Sequence, residues 1–459
     1  MSDALDSIID HALGTNLGDI PPAAVECTRK FLLDSIGVGV SGSAGPYVDE
    51  LVNNYAALGL GTCTVWGNRQ RLSPPLAAFV NAYQIHNAEF DCVHEEAVVH
   101  PMAVLLGGVS AAVAIAAAEG QAISGAELLT TITVGVDVAA NLGVASNSPL
   151  SFFRPATAGA FAATIGAGRL LGLDRERLRH AIGITLGQLG GTMQAHTEGS
   201  PLLAMQVGFS ARNAAFSVML ARDGIPGPHD SLEGPYGYFS LFEGEYDLAS
   251  AVATLGTNWR ISEVAHKPFP SGRATHGMAD ACMQIRRVRE LSPQDIAHVD
   301  VSVPSLTERL VGRPAKTDME SNYARLSGAY ICALALRNGD VSPDNFTTAA
   351  LNDADVLSLA SKVNIRVDDN PDPNALTPIE VTVHTYNGDQ FTQSLDDVYG
   401  NPTNPMTKEA YMQKFRRNME SGRARFDDPG AITRQVEQDI ATLETLNDVS
   451  VMFARLGPT

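Results

Sequence analysis

The sequence predicts a mainly α-helical chain with a second, smaller α+β domain. Three observations support this fold class. Up to about Trp259, apolar residues recur at helical spacing behind proline and capping signals. Beyond it, Val299, Val301 and Val303, and later Ile379, Val381 and Val383, alternate with polar residues as in half-buried strands. At 459 residues the chain exceeds what one hydrophobic core usually organises, so two domains are expected. We place a large all-helical domain over residues 1–264 plus 402–459 and the α+β domain over 265–401.

In chain order, Ile20-Pro21-Pro22 opens a helix running through Cys27 to Ser35, with Phe31, Leu32 and Leu33 as core positions. Ser73 followed by two prolines starts a helix through Ala77, Phe79, Val80 and Tyr83. The apolar run Met102 to Ala118 is short for a membrane span, contains Gly107 and Gly108 and starts at His100-Pro101, so it reads as a core helix. Ser124 to Glu127 is a capping-box pattern. Thr157 to Leu171 is Ala/Gly-rich at helical spacing, Asp174 caps a helix through His180 and Ile182, and Phe209 to Arg222 forms another. In the smaller domain, helices are expected over Ala329 to Leu336 and after Ser342-Pro343-Asp344. Asn364 to Val367 is a strand candidate, and Asn387-Gly388 is a two-residue hairpin signal leading to Phe391. After the proline-rich stretch Asn401 to Thr407 the pattern becomes helical again.

Thirty-two basic against 51 acidic residues leave a net charge of −19, which argues against nucleic acid or an anionic membrane as partner. An anionic substrate would need basic groups gathered against that field. Five scattered cysteines without C-x-x-C spacing read as reduced thiols, and the opening Met1-Ser2-Asp3-Ala4 lacks a basic-then-apolar leader pattern. The expected location is cytoplasmic. Cys92 reads either as a nucleophile or as a small residue beside a site.

Two polar clusters carry the chemistry. Glu89, Asp91, His94 and His100 crowd between two apolar helical stretches. They are either a solvated inter-helix loop or an acid/base site, where burial tunes carboxylates and imidazoles toward neutral pH. Lys267-Pro268-Phe269-Pro270-Ser271-Gly272-Arg273-Ala274-Thr275-His276 is a rigid loop of mixed cations. It is either a solvated boundary loop or a grip for carboxylate oxygens. Tyr330 on a helix reads as a core tyrosine or a site residue, His196 near a turn as either, and Arg154 needs a partner. His94 and His100 are six apart, unlike the i, i+4 pair of zinc hydrolases, so no metal is expected. No G-x-S-x-G is present, and no P-loop or G-x-G-x-x-G fingerprint follows a strand, so no organic cofactor is expected.

These segments together resemble the MmgE/PrpD family, which includes 2-methylcitrate dehydratase, cis-aconitate decarboxylase and iminodisuccinate epimerase. The resemblance rests on Phe31 to Gly37, Ala77 to His94, His100-Pro101, Lys267 to Gly277, Arg325 to Tyr330, and Asn404 to Phe415. It implies a helical domain and an α+β domain with the active site between them, usually a homodimer, and no metal or organic cofactor. The substrate would be a small di- or tricarboxylate that loses a proton or carboxylate beside an activated carbon. The resemblance places Glu89 where an aspartate is usual, and His100, His276 and Tyr330 at expected polar positions. Two departures stand out: Phe153 and Leu203 occupy usually polar positions, with Arg154 a possible substitute anchor, pointing to fewer substrate carboxylates or to epimerisation.

The resulting expectation is a metal-independent dehydratase-type lyase that abstracts a proton next to a carboxylate. His100 is the base, oriented by Glu89 or Asp91, and His276 or Tyr330 is the acid. Lys267, Arg273, His94, Thr275 and Arg154 bind substrate. The alternatives are a cofactor-independent epimerase and a non-catalytic carboxylate-binding relative.

Overall fold

The computed structural model describes residues 4–422 and 426–457, so Met1 to Asp3 of the leader reading lie outside the described residues. The helical part centres on four helices, Pro74–His86, Pro101–Ala118, Arg154–Leu170 and Leu202–Arg222, which pack against one another. Their approach depends on small residues. A Cβ on Gly107 would come within 2.8 Å of the Ala78 carbonyl oxygen and 2.7 Å of the Ala211 Cβ. Helices meeting this closely bury their backbones together, so the pattern there is apolar all round rather than striped. Pro101–Ala118 and Gly125–Val144 are each long and apolar enough to cross a membrane, yet 83% and 89% of their apolar windows are buried inside the protein. They are core helices here.

Helix starts follow the sequence signals. Prolines stand in the first turns of Pro22–Gly42, Pro74–His86 and Pro101–Ala118, and the Ser124 and Asp174 side chains accept hydrogen bonds from Glu127 and Arg177 backbone N–H groups. Lengths were harder to read. The Pro22 helix continues to Gly42, and the last central helix begins at Leu202, well before Phe209. Helices Ala4–Gly14, Val48–Leu58 and His276–Arg289 carry weak start signals and were not read from the sequence.

A second hydrophobic cluster runs from Phe269 to Leu395. Its sheet orders the strands Val363–Val367, Ile296–Val303, Ile379–Thr385 and Gln390–Leu395; the first pair is parallel and the others antiparallel. Alternating burial along Ile296–Val303 turns Val299, Val301 and Val303 inward, toward a layer that includes His276–Arg289 and Gly328–Asn338. The Asn387-Gly388 hairpin exists but is wider than two residues. The Thr385 N–H donates to the Asp389 carbonyl across the loop, and Gly388 takes the left-handed conformation at φ 93°. Ser342-Pro343-Asp344 opens only a 3-10 turn, Pro343–Phe346, before the short helix Thr348–Leu351.

The late helix Lys408–Ser421 packs on Pro22–Gly42, and Phe415, Met419, Val436 and Phe453 belong to the large helical core. Lys414 is buried with them. Its ammonium lies 2.8 Å from Asp34 Oδ1 and donates to the Phe90 carbonyl at 2.9 Å, tying the late helix to the first long helix and to the acidic loop.

Gly42 sets the position of that loop. A Cβ there would stand 1.9 Å from the Gln84 carbonyl oxygen, and the Gly42 carbonyl accepts from Asn87 Nδ2 at 2.9 Å. Gly42→Ala must displace the end of Pro74–His86, so it is expected to lower unfolding free energy by ~1–3 kcal/mol, read as a lower urea midpoint. An unchanged midpoint would show that the close approach is not structural.

Candidate active site

The site lies where the C-terminus of one core helix comes beside the N-terminus of the next, which packs along it. Pro74–His86 finishes at His86, and Pro101–Ala118 starts after His100 as N-cap. The intervening chain turns sharply, with Glu89 in the left-handed region at φ 51°. Asp91, fully buried, is shared by both imidazoles. His86 Nδ1 donates to its carboxylate at 3.0 Å, and His100 Nδ1 lies 3.2 Å from Oδ2, near enough for an ion pair though not aligned as a hydrogen bond. The two rings meet edge to face with centroids 4.6 Å apart.

The proline-braced loop joins this turn directly. Val93–His94 pairs antiparallel with Val264–Ala265, and Lys267, with no solvent exposure, donates to Glu89 Oε2 at 2.9 Å and to the Glu89 carbonyl at 3.2 Å. Arg325 adds a second tie, donating from Nη1 to the carbonyls of Pro270 at 2.6 Å and Ala88 at 2.9 Å. The two polar segments line one cavity of about 80 Å³, to which Glu89, Glu95 and His100 contribute from one side and Gly272, Arg273 and Ala274 from the other.

Burial and charge set the protonation states. Burial alone would raise the Glu89 carboxyl, but Lys267, then His86 and His100, hold it down to about 2. Burial lowers His100, helped by the Lys267 ammonium and only partly opposed by Asp91. Burial also works against charged His86, but Asp91 and Glu89 outweigh it and raise the group. The helix ends act in the same sense, because a C-terminus favours an imidazolium and an N-terminus disfavours one. The outcome is two neighbouring imidazoles biased in opposite directions.

Several residues expected at the site face elsewhere. His276 is buried, donates from Nε2 to the Ser271 carbonyl at 3.2 Å, and lies well below its ordinary value through burial and the Arg273 charge. Tyr330 donates its hydroxyl to the carbonyls of Asn345 at 2.9 Å and Ala350 at 3.2 Å inside the second core. Neither lines the cavity, so the acid role expected of them has no support in the geometry. His94 is a structural clamp that accepts from the Ala97 N–H and donates to Glu263 at 2.8 Å. Thr275 donates to the Gly272 carbonyl within its own loop. Arg154 pairs bidentately with Glu243, both contacts 2.9 Å, and also donates to the Ala97 carbonyl, so it cannot anchor a substrate carboxylate. Lys267 is engaged with Glu89. Arg273 reaches the cavity but binds Glu95 Oε1 at 2.6 Å and the Tyr399 and Val398 carbonyls.

The sequence reading missed His86, which ends an apolar helix three residues before Glu89. It left His196 undecided. That side chain lines the cavity beside Met193, Phe153 and Leu203, and burial, then Arg313, pull it down to about 4. His86, Glu89 and His100 have potential ligand atoms within 4.8 Å of one another, the arrangement of a metal site. The ammonium fixed on Glu89 opposes a divalent ion there. Two other such groups among the described residues, Glu176 with His180 and His229, and His298 with Asp300 and His384, do not line the cavity.

The Arg154–Glu243 pair is only 1% and 4% exposed at the side chains, and Tyr238 donates to the same carboxylate. Glu243→Ala strands a buried guanidinium and is expected to cost ~3–5 kcal/mol in chemical denaturation, whereas replacing both partners by apolar residues recovers most of it. A loss below about 1 kcal/mol for the single variant would contradict this assignment.

Comparison with known proteins follows the same division of the chain. Residues 6–251 match the MmgE/PrpD N-terminal domain and residues 269–434 the MmgE/PrpD C-terminal domain. A human protein named cis-aconitate decarboxylase is 29% identical over 464 aligned residues, covering 97% of this chain and 93% of the relative. A cis-aconitate decarboxylase of Aspergillus terreus is 28% identical, covering 96% and 93%. With both domains matched in order across most of its length, the chain belongs to the MmgE/PrpD family.

Proposed function

We propose that this protein is a lyase of the dehydratase or decarboxylase kind, acting on a small carboxylic acid at a carbon next to a carboxylate without a metal ion. The observation that carries the reading is His100, held beside Asp91 at the cavity wall and biased toward its neutral form. The full-length similarity to cis-aconitate decarboxylases supports the reaction class.

A proton beside a carboxylate is weakly acidic, so the reaction needs a positioned base and compensation for enolate charge. The Asp91 carboxylate stands 3.2 Å from His100 Nδ1 and favours the proton on that nitrogen, which leaves Nε2 to take the substrate proton. Protonated His86 is the proton reserve. Its Nε2 lies 3.5 Å from Glu89 Oε1, and Glu89 lines the cavity, so a proton can pass from His86 through Glu89 to a leaving hydroxyl or to the product carbon. Lys267 keeps Glu89 ionised between such transfers and adds positive charge near the developing enolate. An epimerase would require a second group on the opposite face of the reacting carbon, and both histidines sit on the same Asp91.

His100→Ala is expected to lower turnover by a factor on the order of 10²–10⁴ with thermal stability retained. The assay follows loss of water or carbon dioxide from candidate acids, with deuterium uptake in D₂O at the carbon next to the carboxylate. Unchanged turnover would remove His100 as the base. The pH profile of kcat/KM gives an independent check. His100 must be neutral and its pKa is lowered, so activity should rise through a value below 6.5. His86 must be charged and its pKa is raised, so activity should fall through a value above 6.5. His86→Gln should remove the alkaline limb and leave the acidic limb in place.

A further inference from the structure

Away from the cavity, another group of ionisable side chains converges at the start of the helix Arg175–Leu186. Glu176 and His180 stand four residues apart on that helix and so share one face. His229 reaches the same face from the loop that follows Leu202–Arg222. Glu176 Oε1 lies 3.4 Å from His180 Nε2 and 3.5 Å from His229 Nε2, and the three donor atoms are within 4.8 Å of one another. Zinc bonds of about 2.0–2.1 Å at tetrahedral angles put neighbouring donor atoms about 3.4 Å apart, so the spacing from the carboxylate to each imidazole already suits a shared ion. The two rings are nearly perpendicular, at 82° with centroids 5.1 Å apart, which allows both to approach one centre from different sides.

The loop is held over the helix independently of any ion. A Cβ on Gly183 would overlap the Pro228 carbonyl oxygen, and one on Gly227 would overlap the His180 carbonyl oxygen, so the two backbones are in contact. Arg179 Nη1 donates to the His229 carbonyl at 3.1 Å, and Ser231 Oγ donates to the Pro228 carbonyl at 2.9 Å. His180 Nδ1 lies 3.3 Å from the Gly227 carbonyl oxygen. Donation there selects the tautomer that leaves Nε2 unprotonated, the usual support behind a metal-bound imidazole. The arginines of this turn are engaged by acids, Arg175 and Arg179 with Asp6 and Arg177 with Asp174.

The other two groups of this kind lack the convergence. At the cavity, Lys267 is paired with Glu89. His298 and His384 stack in parallel, at 10° with centroids 4.0 Å apart, so their lone pairs run side by side, and Arg366 stands 3.3 Å from the Asp300 carboxylate. We propose that Glu176, His180 and His229 form a surface site for one divalent transition ion of the zinc class, with water completing the shell, which clips the 224–231 loop to the helix. Two imidazoles and one carboxylate suit zinc, cobalt or nickel, whereas magnesium and calcium favour sets of oxygen ligands. None of the three residues lines the cavity, so the site stands apart from the reaction proposed there.

Zinc chloride is titrated by calorimetry into the full chain, purified without a histidine tag and freed of metal by a chelator. One equivalent is expected to bind with micromolar affinity, undisturbed by an excess of magnesium or calcium. Glu176→Gln, His180→Ala and His229→Ala should each weaken zinc binding by about tenfold or more, since even loss of an outer partner of a metal ligand commonly has that effect. Glu176 and His229 are 64% and 55% exposed at the side chain, so their variants should keep the metal-free thermal midpoint of the wild type. Zinc should raise the midpoint of the wild-type chain and leave that of His229→Ala unchanged. Absence of saturable zinc binding overturns the proposal, as does an equal rise in both midpoints. Binding that survives all three substitutions, or that is lost with His298→Ala or His86→Gln in their place, overturns it as well, because the ion then belongs to another group.

Discussion

The buried ion pair between Lys267 and Glu89 is the interaction on which the rest of the site depends. Neither group tolerates burial alone, because an unpaired ammonium or carboxylate in this environment loses its hydration without replacement. Their pairing requires the acidic turn and the proline-braced loop to meet, and the short strand pair Val93–His94 with Val264–Ala265 holds them in register. Arg325 closes the same junction through backbone carbonyls from both loops. The cavity is what remains between segments brought together this way, with His100 on its wall.

Two features then separate the histidines that share Asp91. His86 ends a helix and sits between two carboxylates, while His100 caps the start of another helix and feels the Lys267 charge. One carboxylate thereby orients two imidazoles of opposite protonation preference, the pattern expected of an acid and base pair. The bias comes from where the helices stop, so the packing that fixes the helix ends also tunes the chemistry.

The remaining buried charges are closed internally in the same manner. Arg154 with Glu243, Lys414 with Asp34 and Arg273 with Glu95 each hold backbone carbonyls as well as a carboxylate. Such networks brace connections between helices and loops, and they explain why a cluster that looks cationic in sequence offers little free positive charge to a ligand. The net charge of −19 is therefore a property of the surface and gives little indication of the cavity's character.

By itself, the sequence determined the local order of the chain. Helix starts at Pro22, Pro74, Pro101, Ser124 and Asp174, strand faces at Val299 to Val303 and Ile379 to Val383, and the concentration of ionisable residues near Glu89 and Lys267 follow from capping chemistry and hydrophobic period, which act over a few residues. The helix from His276 to Arg289 was obscured by its polar start, and His86 by the apolar run it ends. Only the tertiary structure decided which polar groups serve the cavity. His276, Tyr330, His94 and Arg154 have the right chemistry but find partners in their own loops or cores, while His86 and His196 are carried to the site by helix packing. A side chain's residue type fixes what it can bond to, but its availability depends on whether the fold has already supplied a partner, and those partners lie on segments far apart in sequence.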